Sequence, residues 1–220
     1  QAPSVPVREV LEMTLDAMAQ RGLYDHVEGG FFRYTVDPGW SIPHFEKMLY
    51  DNAQLARLYL EAGKVLGRED YAVVGFAVLD FMLARMQTNN GTMVASLSAI
   101  DDMGREGAYY LYEDNVLNSV LTHDEGRAVR VVWSLPEAAI FDFGHLLVNQ
   151  SPPEVAAIQL GWTPDQVEKA LVSAMNKLRA IRDQRALPVD NKVLAGWNAL
   201  AMVMRANLQD PDLGGHISTF

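Results

Sequence analysis

The stretch 40–63, WSIPHFEKMLYDNAQLARLYLEAG, constrains this chain more than any other. Its spacing predicts one helix of roughly five turns at 3.6 residues per turn. Ser41 suits the N-cap, Pro43 the first turn and Gly63 the end. Phe45, Met48, Leu49, Asn52, Ala56, Tyr59 and Leu60 fall on one face, and Leu55 and Leu58 lie outside it. A helix apolar over so much of its circumference belongs inside a larger helical assembly. Yet its first half carries His44, Glu46, Lys47, Asp51 and Asn52. Ionisable groups crowded at one end of a buried helix mark a site candidate. The same groups serve equally to hold loops and neighbouring helices, because buried charges are normally paired. On a helix His44 and Asp51 fall within about 20° of each other. Asp51 is therefore expected to be a structural ion-pair member, with His44 or a loop residue such as Arg33 as partner.

The rest of the chain reads as further helices joined by loops. Val7, Val10, Leu11, Thr14 and Met18 share a face, giving a first helix that ends near Arg21-Gly22. Residues 23–39 form a structured loop with a short hairpin, shaped by Gly29-Gly30 and Asp37-Pro38-Gly39 and carrying Asp25, His26, Arg33 and Tyr34. Such a loop, feeding Trp40 and the central helix, is a natural wall for a pocket. A helix over 69–86 stops at Asn89-Asn90-Gly91, and short strands follow at 93–96 and 108–112. Short helices are expected at 113–121 and 124–133, and an extended segment at 143–148. Ser151-Pro152-Pro153-Glu154 and Thr163-Pro164-Asp165-Gln166 read as capping boxes, opening a helix to 160 and another to about 184. Asp190 suits the cap of a last helix reaching 207, and 209–220 reads as an irregular tail after one domain over 1–208.

Composition removes several functions. There is no cysteine, so disulfides, thiolate metal sites and cysteine nucleophiles are excluded. A net charge of −10 argues against general affinity for nucleic acid or anionic membranes. No apolar run approaches the roughly 20 residues of a membrane helix. No signal-peptide pattern stands in the sequence, and QAPSVPV reads as a trimmed or processed start. A soluble protein is expected, the cytoplasm favoured and the periplasm or secretion left open. The phosphate-cradling and dinucleotide glycine motifs and HExxH are missing, and the five histidines lack zinc spacing, so no cofactor or metal is expected. The segment 154–179 has helix-turn-helix spacing, but its second helix opens with Asp165 and Glu168, which repel phosphate. Nucleic-acid binding remains a remote alternative resting on Lys177, Arg179, Arg182 and Arg185 at the far end.

Two motifs carry a resemblance. GGFFRYTVD followed by W…PHFEKMLYDNAQL, and DNKVLAGWNAL at 190–200, resemble the helical domain of the YyaL-like family, whose members include spermatogenesis-associated vertebrate proteins. The resemblance covers most of 7–202, weakly over 113–150. It implies an all-α fold, an (α/α) toroid of helical hairpins of the six-hairpin glycosidase-like type, with short β-hairpins in the loops. It also implies a thioredoxin-like domain elsewhere in such proteins. A full ring of twelve helices needs roughly 240–280 residues. The eight or so helices expected here make an incomplete ring: an open arc, a truncated piece, or a ring completed by a second chain.

From the resemblance come acid–base chemistry on a small carbohydrate, by an isomerase, epimerase or hydrolase, and a pocket. Its expected catalytic residues are His44, Glu46 and Asp51, with Arg33, Trp40, Asn52, Trp197 and Asn198 binding substrate. Tyr24, Trp40, Tyr50 and Trp197 could stack on sugar rings or simply pack the core. One departure matters. Where the family pattern reads SLDADSEGxEGxxYVW, two aspartates are replaced by Ser98 and Ile100, while Glu106, Gly107 and Tyr110 are kept. Serine and isoleucine cannot act as a carboxylate acid or base. A catalytically degenerate binding or interaction domain therefore stands as the alternative.

Overall fold

The computed structural model describes residues 5–148 and 151–207. Its central helix, α2 (Leu49–Leu66), starts well inside the predicted 40–63 helix and runs past its expected end. Nonlocal pairing takes the first part. Asp37 Oδ1 accepts hydrogen bonds from the Ser41 and Ile42 amides at 2.9 and 2.6 Å, and Trp40 sits in the left-handed region at φ 58°. Strand β1 (Tyr34–Thr35) pairs antiparallel with β2 (Pro43–His44). Strand β3 (Lys47–Met48) pairs with β4 (Ser96–Leu97), whose other edge pairs with β5 (Val189–Asp190). These bonds satisfy backbone groups that a helix over 40–48 would otherwise have used. Ser41 therefore caps no helix, and the helical stripe shared by His44 and Asp51 does not exist.

At the other end Gly67, not Gly63, closes α2 with φ 69°, a left-handed conformation natural to glycine. Gly63 stays helical because α3 (Glu69–Phe81) folds back across it. A Cβ at Gly63 would lie 3.0 Å from the Arg68 carbonyl oxygen, and one at Gly75 2.7 Å from Leu60 Cγ. Two missing side chains let this helical hairpin close tightly. The helix expected over 69–86 is α-helical only to Phe81 and ends in a π-helical turn, Met82–Met86. Helix α1 (Val5–Gln20) packs on this core, where the buried Tyr59 hydroxyl donates to the Leu15 carbonyl at 2.7 Å. Helix α8 (Ala195–Asn207) packs against α2. Asp190 does not cap it: that residue lies in β5, and its carboxylate accepts from the Lys192 amide and ammonium.

A second apolar cluster joins α4 (Asp114–Val120), α5 (His123–Val132), α6 (Pro153–Leu160) and α7 (Pro164–Arg182). The Thr163 capping box forms, with Gln166 as its partner. The one expected at Ser151 does not. Pro152 occupies that N-cap, and the Ser151 amide donates to Val132 instead. Thr122 and Glu125 form a capping box that the sequence reading missed although its Thr-x-x-Glu spacing is local, and Glu125 also pairs with Lys177 at 2.7 Å.

The described residues are thus mostly helical, with eight helices and five two-residue strands. The strands lie in the connections, as expected, but β3–β4–β5 unites three distant segments rather than forming a local hairpin. Among the described residues no helix is long and apolar enough to cross a membrane. The tail at 209–220 lies outside the described residues. Of the basic residues needed by the helix-turn-helix reading, all but Arg179 are committed internally, and Arg179 is held through its Nε. Lys177 pairs with Glu125, Arg179 donates to the Val27 carbonyl, Arg182 is buried, and Arg185 donates to three carbonyls. A phosphate-facing surface would need them free.

Glu125 also gives a pH signature. Burial would push its carboxyl up, but Lys177, Ser173 and the Thr122 amide together bring it down to about 2. A lowered folded pKa adds stability above the unfolded glutamate value of about 4.3, and that stability fades as pH falls toward 2. Urea midpoints measured from about pH 6 to 2 should fall less steeply for Glu125→Gln than for wild type. Parallel slopes would show that Glu125 is not linked to folding.

Candidate functional site

Strands β3 and β5 run parallel to each other on either side of β4, and each leads into a helix, α2 or α8. The two helices consequently start at the same end and pack together. This brings the two motifs into one place although they are far apart in sequence. The Trp197 ring lies 4.7 Å from Tyr50, tilted by 59°. Asn198 accepts from the Met93 amide at 2.8 Å and donates to the Met93 carbonyl at 3.0 Å, pinning α8 to the segment before β4.

The polar residues gather around Glu46. Arg33 donates to Glu46 Oε2 at 3.0 Å, and His44 Nε2 lies 3.8 Å from the same oxygen. The other ring nitrogen of His44 donates to Glu106 at 3.1 Å, and Tyr34 stacks on the imidazole at 5.0 Å, a consequence of the β1–β2 register. A cleft of about 540 Å³ opens beside this histidine, lined by Phe45, Glu106, Phe141 and Phe143.

Asp51 is different. It stands in the first turn of α2, half-buried, and its Oδ2 makes no hydrogen bond among the described residues. The expected ion pair with His44 is absent there, because His44 is held in β2 by Glu106 and Glu46. Arg33 attracts Asp51 but spends its short contact on Glu46. Burial pushes the Asp51 carboxyl above its ordinary value, against the pull of the Arg33 charge and the Tyr50 hydroxyl. Arg33 itself is held above its ordinary value, chiefly by Tyr50 and then by Glu46.

Of the expected site residues, the fold draws Arg33, His44, Glu46, Asp51 and Trp197 to this end of the molecule. Asn52 is fully buried and fully used: it accepts from the Phe31 amide and donates to the Phe31 and Met48 carbonyls. Asn198 is spent on Met93 in the same manner. Trp40 packs against the main apolar core. In the departing loop, Ser98 closes a turn on the Ile100 backbone. Asp101 accepts from the Met103 and Arg105 amides and from the Arg105 guanidinium, so it does not replace the missing carboxylates. No group of three or more acidic or histidine residues among the described residues is placed to hold a metal.

The sequence reading missed a charged core. Lys47, Asp25 and Arg182 are 0%, 1% and 1% exposed. Asp25 Oδ2 accepts from Lys47 at 2.7 Å and from Arg182 at 2.6 Å, while Lys47 also donates to the Gly29 carbonyl and Arg182 to that of Tyr110. The ammonium lies 4.3 Å from the centre of the Phe81 ring. Burial alone would raise the Asp25 carboxyl, but the Arg182 and Lys47 charges overcome it and hold the group well below the usual carboxylate range. Lys47 looked like one polar residue on a helix. In a strand it points inward to Asp25, 22 positions earlier, and Asp25 in turn holds Arg182, 157 positions further on, which no local pattern reveals.

Sequence comparison supplies the remaining observation. No family model matches the chain. Human spermatogenesis-associated protein 20 is 32% identical over 217 residues, covering 85% of this chain and 27% of that protein. The mouse protein of the same name is 31% identical over 212 residues, with the same coverage. The chain is a homologue of one segment of these proteins. It spans about a quarter of their length. A separate 27-residue match, 85% identical, is to the pyruvate dehydrogenase E1 component of Pseudomonas aeruginosa and covers 12% of this chain and 3% of that enzyme. A match that short is too small to define a fold or an active site.

Proposed function

We propose that the chain forms (α/α) hairpins of the six-hairpin glycosidase-like type that bind a small carbohydrate and act on it by acid–base chemistry. The observation that carries this reading is Asp51, a half-buried carboxyl in no ion pair among the described residues, its Oδ2 without a hydrogen bond and its pKa raised by burial, beside charged and aromatic side chains. A buried structural carboxylate would have been given an ion-pair partner. One kept protonatable nearer neutral pH is suited to hand a proton to, or take one from, a hydroxyl or ring oxygen. Arg33 and Glu46 then orient sugar hydroxyls, and Tyr50 with Trp197 offers an apolar ring face. His44 and Glu106 form the edge towards the cleft. In the longer proteins a thioredoxin-like domain would add redox chemistry of its own.

One observation favours the second reading, a domain that binds without turnover: Ser98 and Ile100 stand where the family pattern carries aspartates. Calorimetric titration with a panel of mono- and disaccharides, followed by turnover assays on each binder, separates the two. Binding with turnover is the expected result. Binding alone would give the second reading, and no binding across the panel would remove both.

A further inference from the structure

We infer that the chain has a second binding site for a neutral polyhydroxylated small molecule, in a cleft between the loop at 24–29, the end of α3 and the last turn of α7. The cleft has a volume of about 470 Å³ and is lined by Tyr24, Glu28, Asp80, Arg85, Arg179 and Asp183 among others. None of these side chains belongs to the cluster around Glu46 and Asp51.

The cleft is built by uncommon backbone. The π-helical turn Met82–Met86 lies at its rim, and such turns are rare and often accompany binding sites. Across from it Gly29 has φ 81°, and a Cβ there would lie 2.9 Å from the Ala77 carbonyl oxygen. This contact brings the loop onto α3 and sets Glu28 against Arg85, at 3.2 Å. Arg85 also bridges to Asp183 at 2.9 Å and to the Tyr109 hydroxyl, so its guanidinium is fixed in place. Behind the wall, the Glu28 carboxylate lies 3.6 Å from buried Arg182, and its Oε2 makes no hydrogen bond. A rigid, charged rear wall is thus in place before any ligand arrives.

Two groups at the mouth keep polar atoms uncommitted among the described residues. Asp80 makes no hydrogen bond or ion pair, and Arg179 uses only its Nε, on Val27. Free acceptors and free donors therefore face one space. Three carboxylates, Glu28, Asp80 and Asp183, oppose two guanidiniums, Arg85 and Arg179. A phosphate would meet the unneutralised Asp80, and an amine would meet the two arginines. A hydroxyl both donates and accepts, so adjacent hydroxyls can give to Asp80 while taking from Arg179. The edge-on pair of Tyr24 and His26, 5.3 Å apart, adds an aromatic border for C–H surface.

Asp80 is a safe residue to change because no interaction of the fold depends on it. Calorimetry with D-glucose, D-mannose, N-acetyl-D-glucosamine and myo-inositol, run beside inorganic phosphate and ethanolamine, should show saturable binding of at least one polyol. Asp80→Ala should weaken that binding about tenfold or more with the melting temperature unchanged, and Asp51→Asn should leave it intact. Phosphate or ethanolamine binding in preference to polyols would overturn the inference. So would silence across the panel, or polyol binding that Asp80→Ala leaves intact. Polyol binding lost only in Asp51→Asn would support the Asp51 site and remove this one.

Discussion

Replacing Asp25 with alanine should cost the folded state about 3–5 kcal/mol, the range for removing one partner of a buried charge network. The substitution deletes the carboxylate that both Lys47 and Arg182 share, and it leaves two cations facing each other with solvent excluded. Glu28 lies too far from Arg182, at 3.6 Å, to take over the hydrogen bonds. Lys47→Met should cost much less. Asp25 keeps its guanidinium partner, the methionine stem fills the same space against Phe81, and the desolvation cost of an ammonium disappears. Urea unfolding of both variants at pH 7 reads the difference. If Lys47→Met proves the more damaging of the two, Asp25 is not the hub of this network. The contribution of Asp25 has a definite sign with pH. Its carboxyl is lowered by folding, so its stabilisation is full above about pH 4 and is lost on acidification.

Asp51→Asn should do the opposite, lowering activity without lowering stability. If Asp51 is the general acid or base, turnover of any substrate found should fall by about two to four powers of ten. The melting temperature should hold or rise. Folding raises the Asp51 pKa, so at neutral pH its negative charge is a cost to the fold that is relieved as pH drops. The neutral amide removes that cost. The sequence alone pointed to an ion pair, for which the same change would cost several kcal/mol, about 3–5 by the same rule. His44 does not supply that pair, since it sits in a strand and binds Glu106. A clear drop in melting temperature for Asp51→Asn would show a hidden structural role and remove the catalytic assignment. Comparing Arg33→Met helps to place the charge effect: losing the nearby cation should move the pH dependence of activity upward, because Arg33 holds the Asp51 carboxyl down.

Local chemistry determined much of the helical part. Helix α1 forms as its periodicity predicts, although Val7 and Val10 of the expected apolar face stay exposed and Leu15 is buried instead, and Thr163 with Gln166 caps α7. These signals act over one or two turns, so the sequence carries them whole. The same holds for excluded chemistry, since a chain without cysteine has no thiolate to offer. What the tertiary structure decided is the segment 40–48. Its apolar spacing fits a helix, but β1 and β4, distant in sequence, compete for its backbone and win. That outcome moves His44 off the helix and turns Lys47 into the core. It also leaves Asp51 at a helix start with its Oδ2 making no hydrogen bond among the described residues. Both clusters of interest depend on such meetings: Trp197 reaches Tyr50 because β5 joins β4, and Arg182 reaches Asp25 because α7 packs beneath the glycine loop. A backbone hydrogen bond made in a ladder is unavailable to a helix, and the choice between them rests on strands the local pattern does not contain.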